Sequence, residues 1–125
     1  METKLVLVVD DEIDLARVVA DVLVDDGYAV AIAHDGRIGL LRLAEHKTDL
    51  VLLDIMMPSP DGPTMLAQMR ATPAFADIPV VVMTSVAYDG IAGSLPAHQG
   101  VLPKPFTHRE LLDCVDRFLR RQPKA

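Results

Sequence analysis

Four short apolar runs punctuate the chain: Leu5 to Val9, Ala29 to Ala33, Leu50 to Leu53 and Val80 to Met83. They are rich in β-branched residues and nearly continuous instead of alternating, so both faces of each predicted strand must be covered. A parallel sheet sandwiched between helices meets that demand. Between the runs the apolar spacing changes to helical. Ile13, Ala16, Ala20 and Leu23 form one stripe, and Asp26-Gly27 supplies its stop. Ile38, Leu41 and Ala44 repeat the pattern after the second run. Gly62 to Arg70 predicts a short third helix, opened by Pro63, where a missing N–H costs little, and closed before Pro73. The last helix is the best marked: Thr107 and Glu110 make a capping box, and Leu111, Leu112, Val115, Phe118 and Leu119 make one apolar face. From Ala87 to Gly100 a fourth crossover should be short or distorted, because Gly90, Gly93 and Pro96 penalise a helix by roughly several kcal/mol. Val101-Leu102 supplies a fifth strand before Pro103-Lys104-Pro105. The alternation predicts a doubly wound α/β domain, with a five-stranded parallel sheet and helices on both faces.

Composition narrows the class. The 125 residues read as one domain, 1–125, long enough to bury a core without disulfides or structural metal. Twelve basic against 18 acidic side chains give a net charge of −6, which argues against a nucleic-acid surface; the basic pair Arg120-Arg121 stands alone near the C-terminal end. No apolar run reaches the ~20 residues that span a bilayer, and Met1 to Lys4 lead straight into a strand, so a cytoplasmic protein without membrane contact is expected. The single Cys114 falls on the apolar side of the last helix and reads as a buried thiol. His34, His46, His98 and His108 lack metal-ligand spacing and read as exposed polar residues.

In a doubly wound sheet, sites form beyond the carboxyl ends of the strands. Those ends carry Asp10-Asp11 after the first run, Asp54 after the third, Thr84-Ser85 after the fourth and Lys104 after the fifth. If the first and third strands are neighbours, three carboxylates converge, an arrangement that like-charge repulsion disfavours until a cation compensates it. A small hard ion such as Mg²⁺ suits oxygen donors of this kind. Lys104 adds a fixed positive charge, so the set is suited to an incoming phosphoryl group.

These residues resemble the receiver domains of two-component response regulators, the chemotaxis-regulator-like fold. The resemblance covers nearly the whole chain. It rests on Asp10-Asp11, the run Asp54-Ile55-Met56-Met57-Pro58-Ser59-Pro60-Asp61-Gly62, the hydroxyl of Thr84, and Lys104-Pro105-Phe106, in order and at the expected strand ends. It implies a flavodoxin-like strand order of 2-1-3-4-5. It also implies that Asp54 accepts a phosphoryl group from a histidine kinase or histidine phosphotransfer protein. Asp11 and Asp54 would bind Mg²⁺ (or Mn²⁺) directly, the backbone carbonyl of Met56 would be a third ligand, and Asp10 would act mainly through bound water. Lys104 would pair with one phosphoryl oxygen and Thr84 would donate to another, drawing its loop inward and shifting a pre-existing equilibrium. The family usually has the bond corresponding to Lys104-Pro105 in the cis form. Such a domain is a signalling switch and not an enzyme, beyond assisting its own phosphorylation and dephosphorylation.

The chain also departs from the family. Receivers commonly carry an aromatic residue three positions before the lysine, where this chain has Val101. Signal transmission must then use loop and helix displacement or another surface. Met56 and Val86 stand where the family places side chains that influence acyl-phosphate hydrolysis, and neither can orient water strongly, so a long-lived phosphoryl group is expected.

Simpler readings stand beside these. Asp10-Asp11 would also cap the first helix, Thr84 would serve as a β-branched strand residue, Lys104 would lie on the surface, and Asp61-Gly62 reads as turn chemistry. With few residues after Leu119, the expectation is a stand-alone receiver acting through an unknown protein target. The alternatives are a receiver-like binding module that needs no phosphorylation and an aspartate-nucleophile phosphohydrolase. Against the latter, Met56 occupies the position where such enzymes usually carry a second aspartate.

Overall fold

A computed structural model describes residues 3–55, 62–85 and 100–119. Its elements run β1 (Leu5–Val9), α1 (Ile13–Asp25), β2 (Ala29–Ala33), α2 (Gly36–Glu45), β3 (Leu50–Asp54), α3 (Gly62–Ala71), β4 (Val80–Ser85), β5 (Gly100–Lys104) and α4 (His108–Phe118). The five strands form one sheet in the order β2-β1-β3-β4-β5. Every neighbouring pair is parallel. The expected fold and strand order are therefore found. The fourth crossover expected between Ala87 and Gly100 lies almost wholly outside the described residues.

Period-two alternation along the central strands splits the apolar residues into two cores. Val6, Val8, Leu50, Leu52, Val81 and Met83 face α1 and α4, meeting Ala16, Val19, Leu23, Leu111, Cys114 and Val115. Leu7, Val9, Val51, Leu53, Val80 and Val82 face α2 and α3, meeting Leu43, Met65, Leu66 and Met69. This is why the strands read as unbroken apolar runs: both sheet faces are dry. Each fully buried Val, Leu or Met contributes about 1.5–3 kcal/mol, so the sheet centre is the rigid base on which the strand ends are displayed.

In α1 Ala16 and Leu23 of the expected stripe are buried and Ala20 is half-buried, with Val19 buried beside them and Ile13 left exposed. In α2 the buried residues are Gly36, Gly39 and Leu43, whereas Leu41 is nearly half exposed. The reason is a close approach. A Cβ at Gly39 would lie 2.8 Å from Met65 Cε and 3.2 Å from Val9 Cγ2, so the helix packs on its glycine face and turns Leu41 outward. The stop after α1 behaves as expected, with Gly27 at φ 98°, where a side chain would be strained. In β5, longer than expected, Pro103 is tolerated because that strand lies at the sheet edge. Among the described residues no helix is long and apolar enough to cross a membrane.

Candidate functional site

The strand order puts the ends of β1 and β3 side by side, with β4 and β5 beyond them. Asp10 directly follows β1 and is fully buried. Its backbone N–H donates to the Ala33 carbonyl at 3.0 Å, which ties it to the end of β2. Its Oδ1 accepts the Glu12 backbone N–H at 2.9 Å, and its Oδ2 accepts from Lys104 Nζ at 3.0 Å. The N-cap of α1 is Glu12, whose side chain makes no capping bond, so the acidic pair does not serve as the helix cap.

Asp54 closes β3 and is buried as well. The next N–H, of Ile55, donates to the Met83 carbonyl at 3.3 Å and pins the strand end to β4. α3 begins against this spot. A Cβ on Gly62 would lie 2.6 Å from the Asp54 carbonyl oxygen and 2.7 Å from Ile55 Cα, so only glycine fits there. Asp61 of the expected Asp61-Gly62 turn lies outside the described residues; Gly62 itself opens α3 and is held to glycine by the backbone of Asp54 and Ile55.

Thr84 is buried on β4, one residue beyond Met83, which pairs with Asp54. It is also paired with Pro103, the neighbour of Lys104. The Lys104 side chain is only 17% exposed, which excludes a surface lysine. Its Nζ lies 3.0 Å from Asp10, 3.4 Å from Asp54 and 3.5 Å from Glu12. The Lys104-Pro105 peptide bond is cis, as the resemblance implied.

Asp10, Asp11 and Asp54 each offer an oxygen within 4.8 Å of the others. Three carboxylates, of Asp10, Asp54 and Glu12, thus lie within 3.5 Å of one ammonium, with Asp11 beside Asp10 and Asp54. Burial raises the Asp10 pKa above its ordinary value, helped by the charge of Asp54, although the Glu12 N–H and Lys104 pull it back. Burial alone would lower the Lys104 ammonium, but the hydrogen bond with Asp10 and the charges of Asp10, Asp54 and Glu12 outweigh it and leave the pKa raised. One lysine therefore does not neutralise the cluster. Exposed Asp11 beside two buried carboxylates makes an open, all-oxygen donor set, which fits a hard divalent ion such as Mg²⁺.

The structure brings together Asp10, Asp11, Asp54 and Lys104, with Thr84 adjacent in the sheet. Met56 lies outside the described residues, as does Val86. Glu12 is the residue that sequence reasoning missed; its signal was a third consecutive acid after a strand end. Elsewhere the expectations hold: Cys114 is buried with its thiol pushed up by that burial, and His34, His46 and His108 are exposed.

Fold and site together define a doubly wound α/β domain with an acidic, lysine-braced cleft at the carboxyl edge of its sheet. The chain belongs to the response regulator receiver domain family, whose model matches residues 6–116. It is 36% identical over 121 residues to the response regulator ArlR of Staphylococcus saprophyticus, covering 95% of this chain and 54% of that protein. It spans about half the length of the curated relatives it matches. Among solved structures it is similar to the Vibrio cholerae chemotaxis protein CheY4, with a TM-score of 0.84, 29% identity and coverage of 94% and 99% of the two chains. The receiver domain of the sensor histidine kinase PA1611 from Pseudomonas aeruginosa shares the fold at a TM-score of 0.86 and 24% identity, covering 96% of this chain and 100% of that one. That structure holds a magnesium ion coordinated in its active-site cleft. The chain is thus a signalling domain of the two-component type.

Proposed function

We propose that residues 1–125 form one receiver module, which takes a phosphoryl group onto Asp54 from the phosphohistidine of a histidine kinase or histidine phosphotransfer protein. It works with Mg²⁺ or Mn²⁺ in the cytoplasm and hands the signal on by protein–protein interaction. The observation that carries this reading is the reach of Lys104 Nζ to both Asp10 and Asp54, which puts a positive charge beside a buried nucleophile.

In the transfer, a lone pair on an Asp54 carboxylate oxygen forms the new O–P bond. The donor's P–N bond breaks, its electrons stay on the imidazole nitrogen, and that nitrogen takes up a proton. Asp54 becomes a mixed phosphoric–carboxylic anhydride. Lys104, held in place by Asp10, offsets the negative charge on one phosphoryl oxygen. Thr84 supplies a hydroxyl for another oxygen from the adjoining strand. Asp10, Asp11 and Asp54 would hold the metal with the Met56 carbonyl, and the ion when bound supplies further neutralisation of the phosphoryl charge. The magnesium in the PA1611 cleft supports this assignment.

Incubation with acetyl phosphate and Mg²⁺, followed by peptide mapping of the added mass, tests the reading. One phosphoryl group on the peptide containing Asp54 is expected, absent in Asp54→Asn. Modification elsewhere, or none, would overturn it.

A further inference from the structure

Glu12 is not part of the phosphoryl-accepting set described above, yet its Oε1 lies 3.5 Å from Lys104 Nζ. We propose that Glu12 is the exchangeable partner of Lys104: it brackets the ammonium in the resting domain and gives way when a phosphoryl oxygen arrives on Asp54. The inference rests on the reading of Asp54 as phospho-acceptor.

An ammonium has three N–H donors, and three carboxylates surround this one, at 3.0 Å from Asp10, 3.4 Å from Asp54 and 3.5 Å from Glu12. Asp10 takes a hydrogen bond from it, Asp54 and Glu12 are looser ion-pair contacts, and an arriving phosphoryl oxygen competes with those two for the ammonium. Asp10 is poorly suited to yield. It is fully buried, its other oxygen is engaged by the Glu12 N–H, and leaving it unpaired would strand a buried charge. Asp54 carries the phosphoryl group itself. Glu12 differs in the property that matters, because its side chain is 67% exposed and its carboxylate regains water on release. Exposed ion pairs contribute little, so the exchange is cheap. The backbone of Glu12 meanwhile stays anchored through its N–H to Asp10.

Two effects then point the same way for a Glu12→Gln variant. Lys104 loses a competing partner present only in the resting state, and the mouth of the cleft loses one negative charge that opposes an anionic donor. With acetyl phosphate the step forms the Asp54 O–P bond, breaks the donor's P–O bond and releases acetate. Its rate in Glu12→Gln should rise about two- to fivefold, the range set by one exposed ion pair.

The deciding measurement is spectroscopic. The Lys104 ammonium signal in ¹⁵N-lysine-labelled protein is identified among the four lysines by its loss in Lys104→Arg. In Glu12→Gln it should shift from the wild-type position in the resting protein and coincide with wild type once beryllofluoride and Mg²⁺ are added. A signal displaced equally in both states, or in neither, would overturn the proposal, as would a rate that is unchanged or slower. These failures are separable from failure of the underlying reading. Wild-type protein that takes no phosphoryl group on Asp54 overturns both, whereas normal modification of Asp54 with an indifferent Glu12→Gln overturns only the role of Glu12.

Discussion

Asp10 bears the electrostatic strain of the site. Its carboxyl group is fully buried, and burial raises its pKa above the ordinary 3.8. A raised carboxyl pKa means that the native state holds the proton more tightly than the unfolded chain does. Stability contributed by this group is therefore lost as pH climbs from 3.8 to the raised value. In metal-free protein, urea denaturation across mildly acidic pH should show this downward component in wild type and lack it in Asp10→Asn. The difference between the two curves isolates it from the other carboxylates. Gly62 is as tightly constrained. Placing a Cβ 2.6 Å from the Asp54 carbonyl oxygen forces backbone against backbone. Gly62→Ala should cost about 1–3 kcal/mol of stability, read as a lowered urea midpoint, and should slow phosphorylation of Asp54 by displacing it. The spacing of Asp10-Asp11, Asp54, Thr84 and Lys104 was legible because strand ends are marked by the switch from apolar to polar residues. The packing role of Gly62 and the reach of Glu12 were not, since a backbone approach between β3 and the start of α3 and an exposed carboxylate reaching Lys104 exist only in the folded chain.

Among the elements, α4 shows local code and tertiary packing in agreement. The Thr107 hydroxyl accepts the Glu110 N–H at 3.0 Å and the Glu110 carboxylate accepts the Thr107 N–H at 2.8 Å, completing the capping box read from the sequence. Thr107 is exposed, so Thr107→Ala removes the cap with little packing change. A loss of about 1 kcal/mol is expected, seen as a lower thermal midpoint with phosphorylation of Asp54 retained. In α2 local and tertiary signals conflict. Apolar periodicity pointed to Ile38, Leu41 and Ala44, but the helix seats Gly39 on Met65 and Val9 and leaves Leu41 exposed. A hydrophobic stripe gives no weight to glycine, and close packing of two layers does. In α1 the expected Ala16 and Leu23 are buried, and Val19 joins them while Ile13 at the helix start stays exposed.

For the whole molecule, metal binding and folding are linked. Three carboxylates drawn from two strand ends come within 4.8 Å of one another only in the folded chain. A divalent ion held there binds the native state and not the unfolded one, so it stabilises the fold by mass action. Titrating Mg²⁺ should raise the thermal midpoint in a concentration-dependent manner, by about 2.7 kcal/mol of stability at one hundred times the dissociation constant. Asp11→Asn should blunt that response without harming the metal-free fold, because Asp11 is exposed. A midpoint indifferent to Mg²⁺ in wild type would argue against the ion site.

What the sequence determined by itself was the kind and order of elements, because apolar runs and caps act over a few neighbouring residues. It likewise determined which polar residues stand at strand ends. Tertiary structure alone decided the charge balance around Lys104, the entry of Glu12 into it, and the glycine contacts that seat α2 and α3. Those features depend on distances between segments up to 94 residues apart. Local sequence carries no record of such distances, and packing of the two cores sets them.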